Sequence, residues 1–175
     1  MSISPKASRP TALWLIGFRG AGKTTLGRQL ATRLGWRFLD LDEEFERQHG
    51  PILAFVEAHA LDAFRAKEQE LLEEAARGMQ EIVVATGGGF VDWPASRKIL
   101  EEHTAPKLFL NPPAELLWER LRAQPERLKI GHLTDLLSMR ALLEKRRPFF
   151  EKISTAACET QDISEILLHL KSLGI

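Results

Sequence analysis

Three adjacent segments constrain this chain more than any other feature. An apolar run, Ala12-Leu13-Trp14-Leu15-Ile16, meets a glycine-rich stretch, Gly17-Phe18-Arg19-Gly20-Ala21-Gly22-Lys23-Thr24. Next comes a segment, Thr25 to Leu34, whose Leu26, Leu30, Ala31 and Leu34 recur at helical spacing. Buried strand, sharp turn and amphipathic helix thus arrive in that order. Glycines at 17, 20 and 22 let the backbone aim its N–H groups inward at an anion, which the field at a helix N-terminus also favours. Lys23 adds a point charge able to reach β- and γ-phosphates, and Thr24 a hydroxyl able to ligate magnesium. The stretch predicts a nucleotide-phosphate site at the mouth of a strand-turn-helix unit.

A length of 175 residues suits one domain with a single packed core. Formal charge sums to zero, so no global field draws the chain to nucleic acid or to an anionic membrane, and neither is expected as a partner. No apolar run is long enough to span a bilayer. Met1 to Pro10 carries two prolines and is not followed by a signal-type apolar segment, since Gly17 to Gly22 breaks the run. Residues 1–10 therefore read as a short disordered leader and 11–175 as the domain. The lone Cys158 has no internal disulfide partner, which agrees with a cytoplasmic location. Histidines 49, 59, 103, 132 and 169 lack zinc-ligand spacing, so no metal beyond magnesium is expected.

Five short β-rich runs alternate with helical stretches, the pattern of a parallel sheet covered on both faces. Strands are expected near 12–16, 37–39, 82–85, 107–110 and 156–159. Helices are expected over 23–34, 42–49, 51–59, 61–77, 94–103, 113–122, 134–152 and 163–173. The interval 123–133 breaks the rhythm: it is polar and basic, with Pro125 and Gly131 near its ends. It reads either as a mobile lid over a charged substrate or as an ordinary solvated connection.

Other constellations fall where open α/β sheets bind ligands. Asp40 and Asp42 end the second strand; a spacing of two along extended chain points them to one side, and Asp40 suits a magnesium centre. Asp42 could accept hydrogen bonds from substrate hydroxyls and the proton of the attacking one. Either aspartate could instead cap the helix starting at Glu43. Gly87-Gly88-Gly89 follows the third strand, serving either close approach of a ligand to the main chain or a crossover too tight for Cβ atoms. Glu68 lies one helical turn after Arg65, able to orient a guanidinium fork for a substrate carboxylate or to form a plain surface pair. Late basic residues, among them Arg120, Arg127 and Arg146, could place positive charge near a transferring phosphate.

With these elements in order, the chain resembles the shikimate kinases from about Leu13 to Ile153. The resemblance rests on the glycine loop with Gly27-Arg28 behind it, Asp40-x-Asp42, Phe64-Arg65-x-x-Glu68 and Gly87-Gly88-Gly89. It implies a three-layer α/β/α P-loop kinase fold with a five-stranded parallel sheet and a mobile lid at 123–133. It implies ATP and Mg2+ as cofactors. ATP would meet Gly20, Ala21, Gly22, Lys23, Thr24, Thr25, Arg120 and the lid arginine Arg127, and the metal would meet Thr24 and Asp40. Lys23, Asp42 and Arg127 would be catalytic. Shikimate would be held by Asp42, Arg65, Arg146 and the backbone at Gly87, Gly88 and Gly89, with Glu68 orienting Arg65. The implied reaction is transfer from ATP to the 3-hydroxyl of shikimate by a monomer. Arg146-Arg147-Pro148-Phe149-Phe150 follows the family's Arg-x-Pro-x-Tyr with phenylalanine last. Ala60-Leu61 stands where the family usually has Gly-Glu, and Leu128 stands where proline usually follows the lid arginine. A kinase for another small hydroxylated acid such as gluconate, or a catalytically weak nucleotide-binding regulatory protein, is the alternative.

Overall fold

A computed structural model describes residues 12–78, 80–130, 132–159 and 162–172; the expected leader lies outside the described residues. Five strands form one sheet: β1 (Ala12–Gly17), β2 (Arg37–Asp40), β3 (Ile82–Ala85), β4 (Lys107–Leu110) and β5 (Ala156–Cys158). All pair in parallel in the order β2-β3-β1-β4-β5. The register sets Leu15 beside Ala85 on one flank and beside Leu108 on the other. β1 is central and buried along its whole length, which is why it reads as an unbroken apolar run rather than an alternating one.

Side chains two apart along a strand share a face. Trp14, Ile16, Ile82, Val84 and Phe109 pack into one apolar layer, and Leu13, Leu15, Val83, Leu108 and Leu110 into the other. The helices that cover these layers are α1 (Lys23–Leu34), α2 (Leu41–His49), α3 (Ile52–Ala76), α4 (Pro94–Glu102), α5 (Ala114–Arg122), α6 (Pro125–Ile130), α7 (Leu136–Ile153) and α8 (Ile163–Ser172). The first layer takes Leu41 and Phe45 of α2, Phe64 and Leu72 of α3, and Leu100 of α4; the second takes Leu26 and Leu30 of α1, Leu121 of α5 and Ile166 of α8. α7 serves both, through Met139 and Leu143 on one side and Phe150 and Ile153 on the other. Phe150 stacks on Phe109, ring centroids 5.1 Å apart. The three-layer α/β/α architecture is thus present. Among the described residues no helix is long and apolar enough to cross a membrane.

Two local features bear on the site. The two helices expected around residue 60 form one element, α3, broken at Ala60, where φ 69 and ψ 164 interrupt the helix. The 123–133 interval contains α6, which the sequence pattern did not announce; Pro125 opens it, where a missing amide hydrogen costs nothing. α6 packs against α3 and α5, at the carboxyl end of the sheet.

Candidate active site

The loops that follow β1, β2 and β3 line one cleft of about 660 Å³, together with residues of α3, α5 and α6. β1 delivers the glycine loop. At Gly17 an added Cβ would lie 2.5 Å from the Leu110 carbonyl oxygen, so β1 and β4 can approach this closely only without a side chain. Gly22 precedes α1 with φ 94, a left-handed turn that glycine adopts at little cost and that exposes the first amides of α1. Lys23 is buried, and its Nζ donates to the Gly17 and Phe18 carbonyl oxygens at 2.9 Å each, two of its three N–H donors. Burial pulls its pKa down to about 8, against the opposing pull of Asp42 and Asp40.

Asp40 does two things at once. Its Oδ1 caps α2 by accepting from the amides of Asp42 (3.0 Å) and Glu43 (3.3 Å), while its Oδ2 accepts from the Thr24 hydroxyl at 2.5 Å. The capping and active-site readings of the aspartates are therefore compatible. The strand ends at Asp40 and the helix starts at Leu41, so it is this cap, and not the two-residue strand repeat, that sets Asp42 beside Asp40. The Thr24–Asp40 pair suits a small hard cation. Both donors are oxygen, and among the described residues there is no cluster of three acidic, histidine or cysteine side chains that would build an all-protein cage. Magnesium characteristically takes one or two protein oxygens and fills its shell with water and phosphate.

The acceptor side rises from α3 and the triple glycine. Arg65 and Glu68, one turn apart, form an ion pair buried on both sides. Glu68 Oε1 is buried and accepts no hydrogen bond among the described residues. It lies 2.1 Å from where a Cβ on Gly87 would stand, with Asp42 Oδ1 2.9 Å from the same point. Burial, then Asp40, then Glu68 raise the Asp42 pKa to about 6. Gly88 passes so close to the glycine loop that a Cβ would meet the Arg19 amide nitrogen at 2.5 Å, and at Gly89 it would meet Arg65 Nη2 at 2.1 Å. The three glycines permit close crossing of chain, and Gly88 and Gly89 also line the cleft.

Lys23, Thr24, Asp40, Asp42, Arg65, Glu68, Arg120 and Arg127 all reach the same cleft, together with Gly20, Gly22 and Thr25. Arg120 donates to the Gly20 carbonyl at 3.1 Å. Ala21 is buried under the loop, its amide donating to Phe18, and Gly87 is buried behind Gly88. Arg146 is also off the cleft wall. Its guanidinium is taken by Asp92, at 3.1 Å from Nε to each carboxylate oxygen and 2.5 Å from Nη2, and by the Gly88 carbonyl at 3.3 Å.

Sequence reasoning missed Arg19 and Asp92. Arg19 sits at an unspecified position of the glycine loop, yet it lines the cleft and donates to the Arg127 carbonyl on α6. Asp92, in the single helical turn after the triple glycine, meets Arg146 across 54 residues of chain, a separation that carries no local signal.

Comparison with known proteins agrees with this geometry. The family model described as shikimate kinase matches residues 19–172. Shikimate kinase of Nitratidesulfovibrio vulgaris is 37% identical over 167 residues, covering 89% of this chain and 94% of that protein. Among solved structures, shikimate kinase from Acinetobacter baumannii in complex with shikimate matches with a TM-score of 0.84 at 32% identity, over 95% of this chain and 94% of the other. A gluconokinase from Sinorhizobium meliloti, at TM-score 0.59 and 21% identity over 94% of each chain, shares the fold. Sequence and fold thus agree over most of the chain, which belongs to the shikimate kinase family of ATP-dependent small-molecule kinases.

Proposed function

We propose that this protein transfers the γ-phosphoryl group of ATP to the 3-hydroxyl of shikimate, giving shikimate 3-phosphate and ADP. The observation that carries the reading is the single cleft in which Lys23 and Thr24 of a phosphate loop face Asp42 and the Arg65–Glu68 pair. Donor and acceptor sides are present together.

The glycine loop and the first amides of α1 hold the nucleotide phosphates, with Lys23 on their outer oxygens and Arg120 beside the loop. Magnesium held by Thr24 and Asp40 would neutralise phosphate charge. Asp42 orients the attacking hydroxyl and takes its proton on a carboxylate oxygen; a pKa raised to about 6 brings that carboxylate closer to the basicity such a transfer needs. Arg127, carried on α6, stabilises the equatorial oxygens as charge shifts in the transition state, and α6 screens the transferring group from water. Arg65, held by Glu68, meets the acceptor's carboxylate. Positioning and electrostatics supply the catalysis.

An ADP-release assay with ATP and magnesium tests the reading against shikimate, quinate, gluconate and nucleoside monophosphates in parallel. Stimulation by shikimate above the others is the expected result. Preference for gluconate would reassign the acceptor within the same chemistry. ATP binding with no acceptor-dependent turnover would point to a regulatory nucleotide binder.

A further inference from the structure

α6 is six residues long and buries none of them fully, a length at which an isolated helix does not hold in water. Its carboxyl end is nevertheless closed in a defined way. His132 takes a left-handed conformation, φ 51. Its amide donates to the Lys129 carbonyl, and the amide of Leu133 reaches back to the Leu128 carbonyl, each at 3.1 Å. One bond to the third residue back and one to the fifth make a Schellman motif, in which the residue after the left-handed one characteristically packs on the residue five before it. Here those two residues are Leu133 and Leu128. Leu133 is buried in the second apolar layer, and Leu128, half-buried, packs against the same layer.

Two further contacts hold the remaining sides of α6. Ile130 packs against the first apolar layer, and the Arg127 carbonyl accepts from Arg19 of the glycine loop. Leu128 and Ile130 thus go to opposite layers, while the side chain of Arg127 is exposed and lines the cleft. A proline at 128, the residue usual at this point of the family pattern, has no amide to give the helix, and its ring crowds the preceding turn. Leucine permits the helix and supplies one half of the apolar contact that closes it.

We propose that Leu128 and Leu133 form a clasp that holds α6 helical before any substrate arrives, which makes Leu128 a positioning residue for Arg127. The inference rests on the reading that Arg127 meets the transferring phosphoryl group. A segment that orders only on binding spends part of the binding free energy on its own ordering, and a preformed one does not. The clasp therefore acts on kcat, by raising the fraction of molecules in which Arg127 stands over the cleft, and leaves the acceptor's own contacts alone.

Amide hydrogen exchange, followed by NMR on the ligand-free protein, reads the clasp without any turnover. In wild type the amides of His132 and Leu133 should exchange at least about tenfold more slowly than in an unstructured chain, and Leu128→Ala should erase that protection. His132→Gly, which relaxes the left-handed backbone, should instead slow exchange at Leu133 by a further factor of about two to five. Steady-state kinetics with ATP and shikimate read the consequence. Leu128→Ala should lower kcat about 5- to 20-fold while KM for shikimate stays within about threefold. In an Arg127→Ala background the same substitution should change kcat by less than about twofold, because nothing is left to position. A leucine that served stability alone would lower kcat by the same factor in both backgrounds. Unprotected His132 and Leu133 amides in wild type, protection that survives Leu128→Ala, or an equal kcat loss in both backgrounds overturns the inference. Protected amides in a wild-type protein that turns over no hydroxylated acid would overturn the functional reading, and the role of Leu128 toward Arg127 with it, while upholding the clasp itself.

Discussion

At the amino end of the sheet, His103 has both ring nitrogens engaged: Nδ1 accepts from Trp14 Nε1 (3.2 Å) and the Ala105 amide (3.1 Å), and Nε2 meets the Ala76 carbonyl (3.3 Å). Lys107, which begins β4, is buried and donates its ammonium to the His103 carbonyl. At the carboxyl end, Asp42 is pushed up to about 6 and Lys23 is pulled down to about 8, and among the described residues Glu68 keeps a buried oxygen without a donor and Arg19 forms no ion pair with a carboxylate. Both ends bury polar groups in one fold; the amino end satisfies both ring nitrogens of His103 from within, whereas the carboxyl end leaves a buried carboxylate oxygen without a donor among the described residues. Charges left for an incoming partner cost stability, and an arrangement selected for stability alone would pair or remove them. The contrast supports the proposed site at the carboxyl end on physical grounds, separately from family membership.

The most forceful way to break that comparison is Asp42→Asn. The substitution keeps the shape but removes the carboxylate proposed to take the hydroxyl proton, so kcat is expected to fall about 100- to 10,000-fold. It also removes a carboxylate that Asp40 and Glu68 crowd, so stability should hold or rise. Steady-state kinetics and a thermal melt on the same preparation check both. Turnover within about twofold of wild type would remove Asp42 from the chemistry. A large loss of stability would mean that this end, like the other, is internally completed.

A smaller effect is expected at Ala60, which the acceptor-side helix α3 forces to φ 69 and ψ 164. A residue with a Cβ is strained there by about 1–3 kcal/mol, and glycine is not. Ala60→Gly gains that relief and loses about 0.4–1 kcal/mol through the freer unfolded chain, leaving a net gain of about 1 kcal/mol. The melting temperature should rise by about 2–4 °C. The family's usual Gly-Glu at this point thus has a backbone reason for its first residue. An unchanged melting temperature would show that the kink carries no strain.

The apolar runs made the sheet readable: β3 and β4 fall on the expected residues, because strands buried on both faces show as short hydrophobic blocks between turn signals. α1 was equally plain, since Gly22 and Gly35 bound it in left-handed turns. α6 was not, for the same reason reversed: none of its six residues is buried, so no periodicity marks it. The site was legible wherever a motif packs its chemistry into a few consecutive residues, as at Lys23-Thr24 or Arg65-x-x-Glu68. It was opaque where function depends on two distant segments touching. Nothing near Arg146 announces Asp92, and nothing in the glycine loop announces that position 19 lines the cleft. Asp40 marks an intermediate case, because a helix cap and a partner for a threonine hydroxyl are spelled with the same letter.

The gentlest test acts on the completed end. The hydrogen bonds at His103 need a neutral ring with its proton on Nε2, so that Nδ1 can accept and Nε2 can donate. Burial, and to a lesser degree the Lys107 charge, lower its pKa below the ordinary histidine value. The folded state then binds this proton less readily than the unfolded chain, so the contribution is complete above about pH 6.5 and declines as pH falls from there toward the folded-state pKa. Urea unfolding at pH 8 and pH 5.5 should show wild type losing more stability across that interval than His103→Asn, which cannot titrate. At pH 8 the variant should keep kcat within about twofold, because the ring lies at the opposite edge of the sheet from the cleft. Equal pH sensitivity in the two proteins would place the titrating group elsewhere. A fall in kcat at pH 8 with stability preserved would break the division of labour between the two ends, since it would show the completed end reaching across the sheet to the cleft.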